Sequence, residues 1–168
     1  MTGTPPTQLG QLELEDETLP IMRAAQPDVP AIVGLLTDDV LGQGREADPD
    51  DQSYQQAFAA IDADPNQLLL VALTGGGQIA ATAQLTFIPG LSRGGALRAQ
   101  VEAVRVAASH RGQGLGEAFF TWMIEYCTAR GAAILQLTTD RQRTDAVRFY
   151  ERLGFVVSHH GLKLTLGQ

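Results

Sequence analysis

A glycine-rich turn between a β-like segment and a strongly apolar helix constrains this 168-residue chain more than any other feature. The turn reads HRGQGLG over residues 110–116, and it follows the β-like VEAVRV of residues 101–106. Three glycines at alternate positions allow tight folding without a Cβ in the way. Their N–H groups then lie at a helix N-terminus, where the helix dipole favours negative charge. The turn is therefore predicted to hold a phosphate, and Arg111 adds a guanidinium to the same anion.

Two familiar nucleotide-binding loops do not fit this turn. A Walker A loop needs Gly-Lys-Ser/Thr at the start of its helix, and residues 116–118 are Gly-Glu-Ala. A dinucleotide-binding loop needs a third glycine three places after the second, and Glu117 stands there. A turn that only connects a strand to a helix stays an alternative, because glycine is common in turns.

A second motif follows one helix and one strand later. Residues 132–138 have the apolar pattern of a buried strand, and residues 145–155 read as a short helix that ends at Gly154. This helix carries the string Ala-x-x-x-Tyr-x-x-x-Gly-Phe, with Tyr150 at its centre. Together with Arg-x-x-Gly-x-Gly in the turn, it resembles the GNAT superfamily of N-acetyltransferases. The resemblance covers roughly residues 67–166 well and the N-terminal third only by general layout.

The resemblance implies acetyl-CoA as cosubstrate, no metal, and direct transfer of the acetyl group to a primary amine. The acceptor would be a small molecule, an amino acid or a peptide. In the family, two neighbouring parallel strands splay near the turn, and freed backbone N–H groups hold the pantetheine arm and the thioester carbonyl. Carried over to this chain, the cofactor-binding residues are Val104, Arg105, Val106, Arg111, Gly112, Gln113, Gly114, Leu115, Gly116 and Tyr150.

Tyr150 is the candidate general acid. In the family a helix presents a tyrosine to the CoA sulfur, and a phenol that is protonated at neutral pH can give its proton to the departing thiolate. The structural alternative is a helix tyrosine that packs on the sheet with its hydroxyl in water.

Glu102 is the candidate general base, acting directly or through a water. A carboxylate in an apolar strand, expected to face the same side as Val104 and Val106, is costly unless it is paired or useful. A salt bridge with Arg98 or Arg105 explains it equally well. His159 and His160, near the predicted last strand, are the alternative bases.

The order of patterns is β-α-α-β-β-β-α-β-α-β-β, which predicts a mixed α/β fold. We expect a GNAT-like central sheet of about seven strands, mixed but mostly antiparallel, with helices on both faces. Residues 1–17 are expected to be a flexible lead-in with some strand character, and residues 18–168 a single acetyltransferase domain. Residues 38–51 are polar and glycine-bearing and are expected to form a loop.

Composition narrows the classes of partner. A net charge of −7 argues against nonspecific nucleic-acid binding. No apolar run reaches the ~20 residues of a membrane span, and residues 1–20 do not resemble a signal peptide, so a cytoplasmic location is the default expectation. The single cysteine, Cys127, excludes an intrachain disulfide and is expected to be a small buried hydrophobe.

Three points stay open at this stage. The first is the function: the alternatives to acetyl transfer to a small amine are a noncatalytic acyl-CoA-binding or regulatory module and acetyl transfer to protein lysines. The acceptor pocket is expected between the two N-terminal helices, the loop 90–97 and the last hairpin, with Tyr54, Phe58 and Phe87 either lining it or in the core. The oligomeric state is undecided, and the apolar last strands would allow pairing in a homodimer.

Overall fold

A single six-stranded sheet forms the centre of the protein. The computed structural model describes residues 7–38 and 48–166. The strands follow chain order across the sheet: β1 (Gln8–Glu13), β2 (Thr18–Arg23), β3 (Gln67–Leu73), β4 (Ile79–Ile88), β5 (Leu97–Val106) and β6 (Ala132–Gln136). Neighbours from β1 to β5 are antiparallel, whereas β5 and β6 are parallel. The predicted mixed, mostly antiparallel sheet is confirmed, with six strands instead of about seven.

The described residues contain five helical segments: α1 (Val29–Thr37), α2 (Gln52–Ala63), the short α3 (Ser92–Gly95), α4 (Leu115–Ala129) and α5 (Thr144–Arg152). The first four lie between strands, and α5 follows β6. Arg93 and Gly94 of α3 have positive φ, so this segment is a tight turn instead of a regular helix. Short 3₁₀ turns precede α1 and the glycine-rich turn, at Gln26–Asp28 and Ala108–His110. Asp51 caps α2 by accepting a 2.8 Å hydrogen bond from the Ser53 N–H, and this bond lowers the pKa of its carboxyl.

Helices cover both faces of the sheet. On β4, Phe87 contacts the Tyr126 ring of α4, whereas Thr82 and Gln84 line a cavity together with residues of α1 and α2. Odd and even positions of one strand point to opposite faces, so α4 lies on one face and the α1–α2 pair on the other. Three of these helices contribute apolar residues to the core, with Leu115, Phe119, Phe120, Met123 and Cys127 buried on α4, and Val29, Ile32, Val33 and Phe58 buried on the α1–α2 side.

The chain divides into two compact units, Met1–Gln136 and Leu137–Gln168, and each is described by itself. The second unit contains α5, followed by residues 155–166, which form neither helix nor strand. Leu162, Leu164 and Leu166 alternate as in a strand, yet all three side chains are exposed. The prediction of two final strands is therefore wrong for these described residues. Alternation alone does not make a strand, because a strand also needs a hydrogen-bonded neighbour.

The N-terminal segment contributes to the sheet. Residues 8–13, predicted to belong to a lead-in with strand character, form β1 and pair with β2. The first six residues of that lead-in, and residues 39–47 of the predicted loop, lie outside the described residues. Among the helices that the structure describes, none is both long and apolar enough to cross a membrane.

Candidate active site

The glycine-rich turn opens α4 with its backbone exposed. Gly112 has φ of +75° and Gly114 has φ of +82°, a region that L side chains rarely adopt. A Cβ at either position would meet no atom within 4 Å, so the turn faces open space. Within the described part of the chain, the N–H groups of Gly112, Gln113 and Gly114 donate to no protein acceptor. These groups are available to a ligand.

The start of α4 adds further donors at the same place. Gly114 is the residue before the helix, and the first helical bond runs from the Ala118 N–H to the Gly114 carbonyl at 3.0 Å. The N–H groups of residues 115–117 precede that bond and have no intrahelical partner. Leu115 is fully buried and anchors the helix, while the Gln113 amide donates to the Ser109 carbonyl at 2.8 Å and fixes the turn. The donors are thus held in place before any ligand arrives.

Arg111 lies at the entrance of the turn and is half-exposed. Its Nε donates to the Val106 carbonyl at 3.1 Å. Its terminal nitrogen donates to the Asp38 carbonyl at 3.1 Å and pairs with the Asp38 carboxylate at 3.0 Å. Asp38 follows α1 directly, so this contact connects the end of α1 to the turn. The sequence did not suggest it, because the two residues are far apart along the chain.

Strand β5 extends beyond its pairing with β6. The parallel register ends at Gln100 opposite Gln136, whereas β5 continues to Val106 and stays paired with β4. Residues 101–106, which include the predicted segment 104–106, therefore have no β6 partner in register. One carbonyl on this segment is already engaged, since Arg105 donates to the Val104 oxygen at 2.8 Å.

A bulge in β5 changes the expected direction of Glu102. Between the pairs Gln84–Glu102 and Thr82–Arg105, β5 contains one residue more than β4, and Ala103 takes a positive φ of 53° there. Residues directly opposite on paired strands share a face, so Glu102 and Arg105 both lie on the α1–α2 face. The prediction that Glu102 shares its face with Val106 is wrong, because the bulge interrupts the alternation.

Glu102 itself is exposed. Among the described residues, it forms no ion pair with Arg98 or Arg105. The carboxylate is therefore accessible on the side of the sheet that faces α1 and α2.

An apolar cavity of about 100 Å³ lies between α1, α2 and the sheet, next to this bulge. Its lining combines helix residues with Leu69, Thr82, Gln84 and Ala103 of the sheet. Tyr54 and Phe58, predicted to be either lining or core, both line it, and Phe58 is also buried in the core. Phe87 lies on the opposite face, where the Arg130 guanidinium stands 4.5 Å from its ring centroid.

A wider groove of about 520 Å³ runs between β1 and α4, and Gly114 forms part of its lining. Four carboxylates line it, those of Glu13, Glu15, Glu117 and Glu125. Such a surface repels anions, so a diphosphate at the turn is favoured on the Arg111 side.

The second unit holds Tyr150 on α5. Its ring packs edge-on against Phe149 and Phe155, at centroid distances of 5.4 and 5.9 Å. The carbonyl of Tyr150 accepts from the Phe155 N–H at 3.0 Å, which closes the end of the helix. His159 and His160 are both exposed, and the His159 ring contacts the Ser158 hydroxyl at 2.8 Å. The roles predicted for Tyr150 and the histidines stay predictions.

Cys127 is a buried thiol, as expected. It is 2% exposed, and burial raises its pKa to about 11, so it is protonated at neutral pH. Among the described residues, no group of three or more histidine, cysteine or acidic side chains is arranged to hold a metal ion.

Comparison with known proteins identifies the family of this chain. A sequence model described as the acetyltransferase (GNAT) family matches residues 29–155. The chain belongs to the GNAT family. It is an acyltransferase.

The curated relatives of this GNAT acyltransferase include enzymes named for different amines. It is 32% identical over 113 residues to the aminoalkylphosphonate N-acetyltransferase of Salmonella typhimurium, covering 66% of this chain and 70% of that one. It is also 32% identical over 90 residues to the glucosamine 6-phosphate N-acetyltransferase of Trypanosoma brucei brucei. That match covers 54% of this chain and 59% of the relative, so the chain spans less than two thirds of that protein.

Among solved structures, a protein of Bacillus halodurans C-125 described as a transcriptional regulator superposes with a TM-score of 0.84. Its sequence is 45% identical, and the match covers 88% of this chain and 99% of that protein. The GNAT fold of this acyltransferase is thus shared over most of its length.

Proposed function

We propose that this GNAT acyltransferase moves the acetyl group of acetyl-CoA directly to the primary amine of a small molecule. The observation that carries the proposal is the set of N–H groups at residues 112–114 that donate to no acceptor in the described part of the chain, at the start of the 15-residue helix α4. Backbone donors and the positive end of a helix dipole suit the diphosphate of coenzyme A. Arg111 supplies the compensating charge at the same turn.

The part of β5 that continues past β6 supports the next part of the proposal. The parallel register ends at Gln100 opposite Gln136, and we place an extended ligand beyond it, along the backbone of Val104 and Val106. An extended pantetheine arm would add to this edge as a further strand does. An N–H group of the segment 104–106 would also stabilise the negative charge that develops on the thioester oxygen.

The acceptor must lose a proton before it can attack, because an alkylammonium has no lone pair and its pKa lies near 10. Glu102 is exposed on the face that carries the apolar cavity, next to the bulge at Ala103. We assign the proton acceptance to this carboxylate, directly or through one water. The family resemblance assigns proton donation to Tyr150, whose phenol gives its proton to the departing sulfur.

The balanced step is simple. Acetyl-CoA supplies the acetyl group as a thioester, whose C–S bond breaks as the C–N bond forms. The alkylammonium loses two protons on becoming an amide. Glu102 accepts the first before the attack and passes it to solvent. Tyr150 protonates the departing thiolate, and the second proton of the nitrogen, lost as the amide forms, restores its phenol. The named relatives act on aminated small molecules, which favours a small acceptor over a protein lysine.

The test is release of free CoA thiol from acetyl-CoA with a panel of primary amines, read with a thiol reagent. Transfer predicts thiol release together with an acetylated amine in equal amounts. Acetyl-CoA binding without thiol release from any amine would instead favour a regulatory acyl-CoA-binding module, and the proposal would then fail.

A further inference from the structure

We infer that the acceptor is a primary amine with a compact, uncharged aliphatic group, which is bound in the apolar cavity between α1, α2 and the bulge of β5. This inference rests on the proposed acetyl transfer and names the class of its acceptor. It starts from the lining of the cavity, which includes Val33, Leu36, Phe58, Ile61 and Leu69. None of the described residues that line the cavity carries a charge.

Two polar side chains of the lining already donate hydrogen bonds within the protein. Thr82 is 1% exposed, and its hydroxyl donates to the Leu70 carbonyl at 2.9 Å. The Gln84 amide nitrogen donates to the Gln67 side chain at 2.9 Å. Arg105 lies on the same face of the sheet but not in the lining, so a phosphate or carboxylate placed inside the cavity would lose its hydration against uncharged residues, which is unfavourable. An aliphatic group would only replace water against apolar carbon, which is favourable.

The size of the cavity limits the group that fits. An apolar cavity of about 150 Å³ holds the six carbons of benzene, so in proportion a volume of about 100 Å³ suits a branched group of about four carbon atoms. Two of the curated relatives are named for a phosphorylated or a phosphonate amine, and the uncharged lining of this cavity does not suit acceptors of that charge.

The position of the cavity fits the chemistry. Ala103 and Gln84 form part of its lining, and Glu102 lies opposite Gln84 on the same face of the sheet. An amine whose aliphatic group fills the cavity would therefore present its nitrogen at the bulge, beside the candidate base. The same arrangement places the ammonium form of the acceptor near the Glu102 carboxylate before the ammonium group loses its proton.

The experiment compares three acceptors in the acetyl-CoA assay: 3-methylbutylamine, methylamine and 2-aminoethylphosphonate. We expect kcat/KM for 3-methylbutylamine to exceed both others by about tenfold or more, because only its side group buries apolar carbon in the cavity. Ala57 of α2 lines the cavity and is exposed at its edge. Ala57→Leu should reduce the preference for 3-methylbutylamine over methylamine by about fivefold or more, since the larger side chain occupies the cavity.

Ala60→Leu is the matched control. Ala60 is exposed on the same helix and does not line the cavity, so the preference should be unchanged. Equal rates for the three amines, or a preference for 2-aminoethylphosphonate, would overturn the inference and leave acetyl transfer standing. Thiol release from another amine of the panel but from none of these three would overturn this inference alone. Thiol release from no amine of the panel, with acetyl-CoA still bound, would overturn the proposed function and this inference together.

Discussion

The carboxylate of Asp38, at the end of α1, lies 3.0 Å from the guanidinium of Arg111, at the entrance of the glycine-rich turn. The same guanidinium is the side chain that we assign to the diphosphate of coenzyme A. The carboxylate and the diphosphate therefore compete for one cation, and a part of the binding energy is spent on releasing Arg111 from Asp38.

Replacing Asp38 by asparagine should tighten acetyl-CoA binding. Both partners of the pair are about half-exposed, and such pairs contribute about 0.2–1 kcal/mol, which corresponds to up to about fivefold in Kd. Calorimetric titration of the wild type and of Asp38→Asn with acetyl-CoA measures the change in Kd. Asp62→Asn breaks the comparable pair of Arg23 and Asp62, 3.4 Å apart, and should leave Kd unchanged. Weaker binding in Asp38→Asn would show that Asp38 holds Arg111 ready for the ligand instead of competing for it.

Gly10 of β1 should tolerate no side chain. A Cβ at this position would overlap the indole Nε1 of Trp122, whose ring stacks on Tyr126 at 4.9 Å and cannot easily move. Gly10→Ala should lower the free energy of unfolding by about 1–3 kcal/mol, the usual cost of overpacking. Urea denaturation measures it.

The same substitution in α1 provides the contrast. A Cβ at Gly34 meets no atom within 4 Å, so Gly34→Ala should raise stability by about 0.5–1 kcal/mol through the better helix propensity of alanine. A rise in the free energy of unfolding of Gly10→Ala, as in Gly34→Ala, would contradict the close packing of Gly10 against Trp122.

Cys127 should make stability depend on pH under alkaline conditions. Burial raises the pKa of its thiol from 9.0 to about 11. The buried, protonated thiol therefore contributes fully to the free energy of unfolding below pH 9. This contribution is lost as the pH rises to about 11, because the thiol ionises at a lower pH in the unfolded chain than in the folded protein. The stability of the wild type relative to Cys127→Ala should fall across this window by up to about 3 kcal/mol. Parallel pH profiles of the two proteins in urea denaturation would contradict this.

Tyr150→Phe should separate binding from turnover. Loss of the phenol removes the proposed proton donor and should lower kcat by about 100-fold, while calorimetric binding of acetyl-CoA is unchanged. Tyr126→Phe is the control, because it removes a hydroxyl from α4 and should leave kcat within about twofold. A variant Tyr150→Phe with full turnover would exclude Tyr150 as the acid.

Local patterns in the sequence predicted much of the fold. The glycine-rich turn and the start of α4 follow from glycine spacing and an apolar stripe, and the buried strand predicted within residues 132–138 agrees with β6. The bulge at Ala103 was not predicted, because it depends on how β5 pairs with β4 and nothing in the sequence of β5 marks it. The Asp38–Arg111 contact depends in the same way on the placement of α1 against the turn.

The alternating leucines near the C-terminus misled the prediction for the opposite reason. Residues 162–166 have the period of a strand, but among the described residues they pair with no other strand. Periodicity indicates which faces are apolar, and only tertiary contacts decide whether a strand forms.

Calorimetric binding of acetyl-CoA to Gly114→Asp tests the central claim most directly. An aspartate at this position places a carboxylate among the donors of the turn and should abolish binding. Gly77→Asp introduces the same charge at a similar positive φ, in an open turn between β3 and β4, and should bind as the wild type does. The predicted result is that Gly114→Asp no longer binds acetyl-CoA, whereas Gly77→Asp still does. Unchanged affinity in Gly114→Asp would contradict the assignment of the turn to the diphosphate.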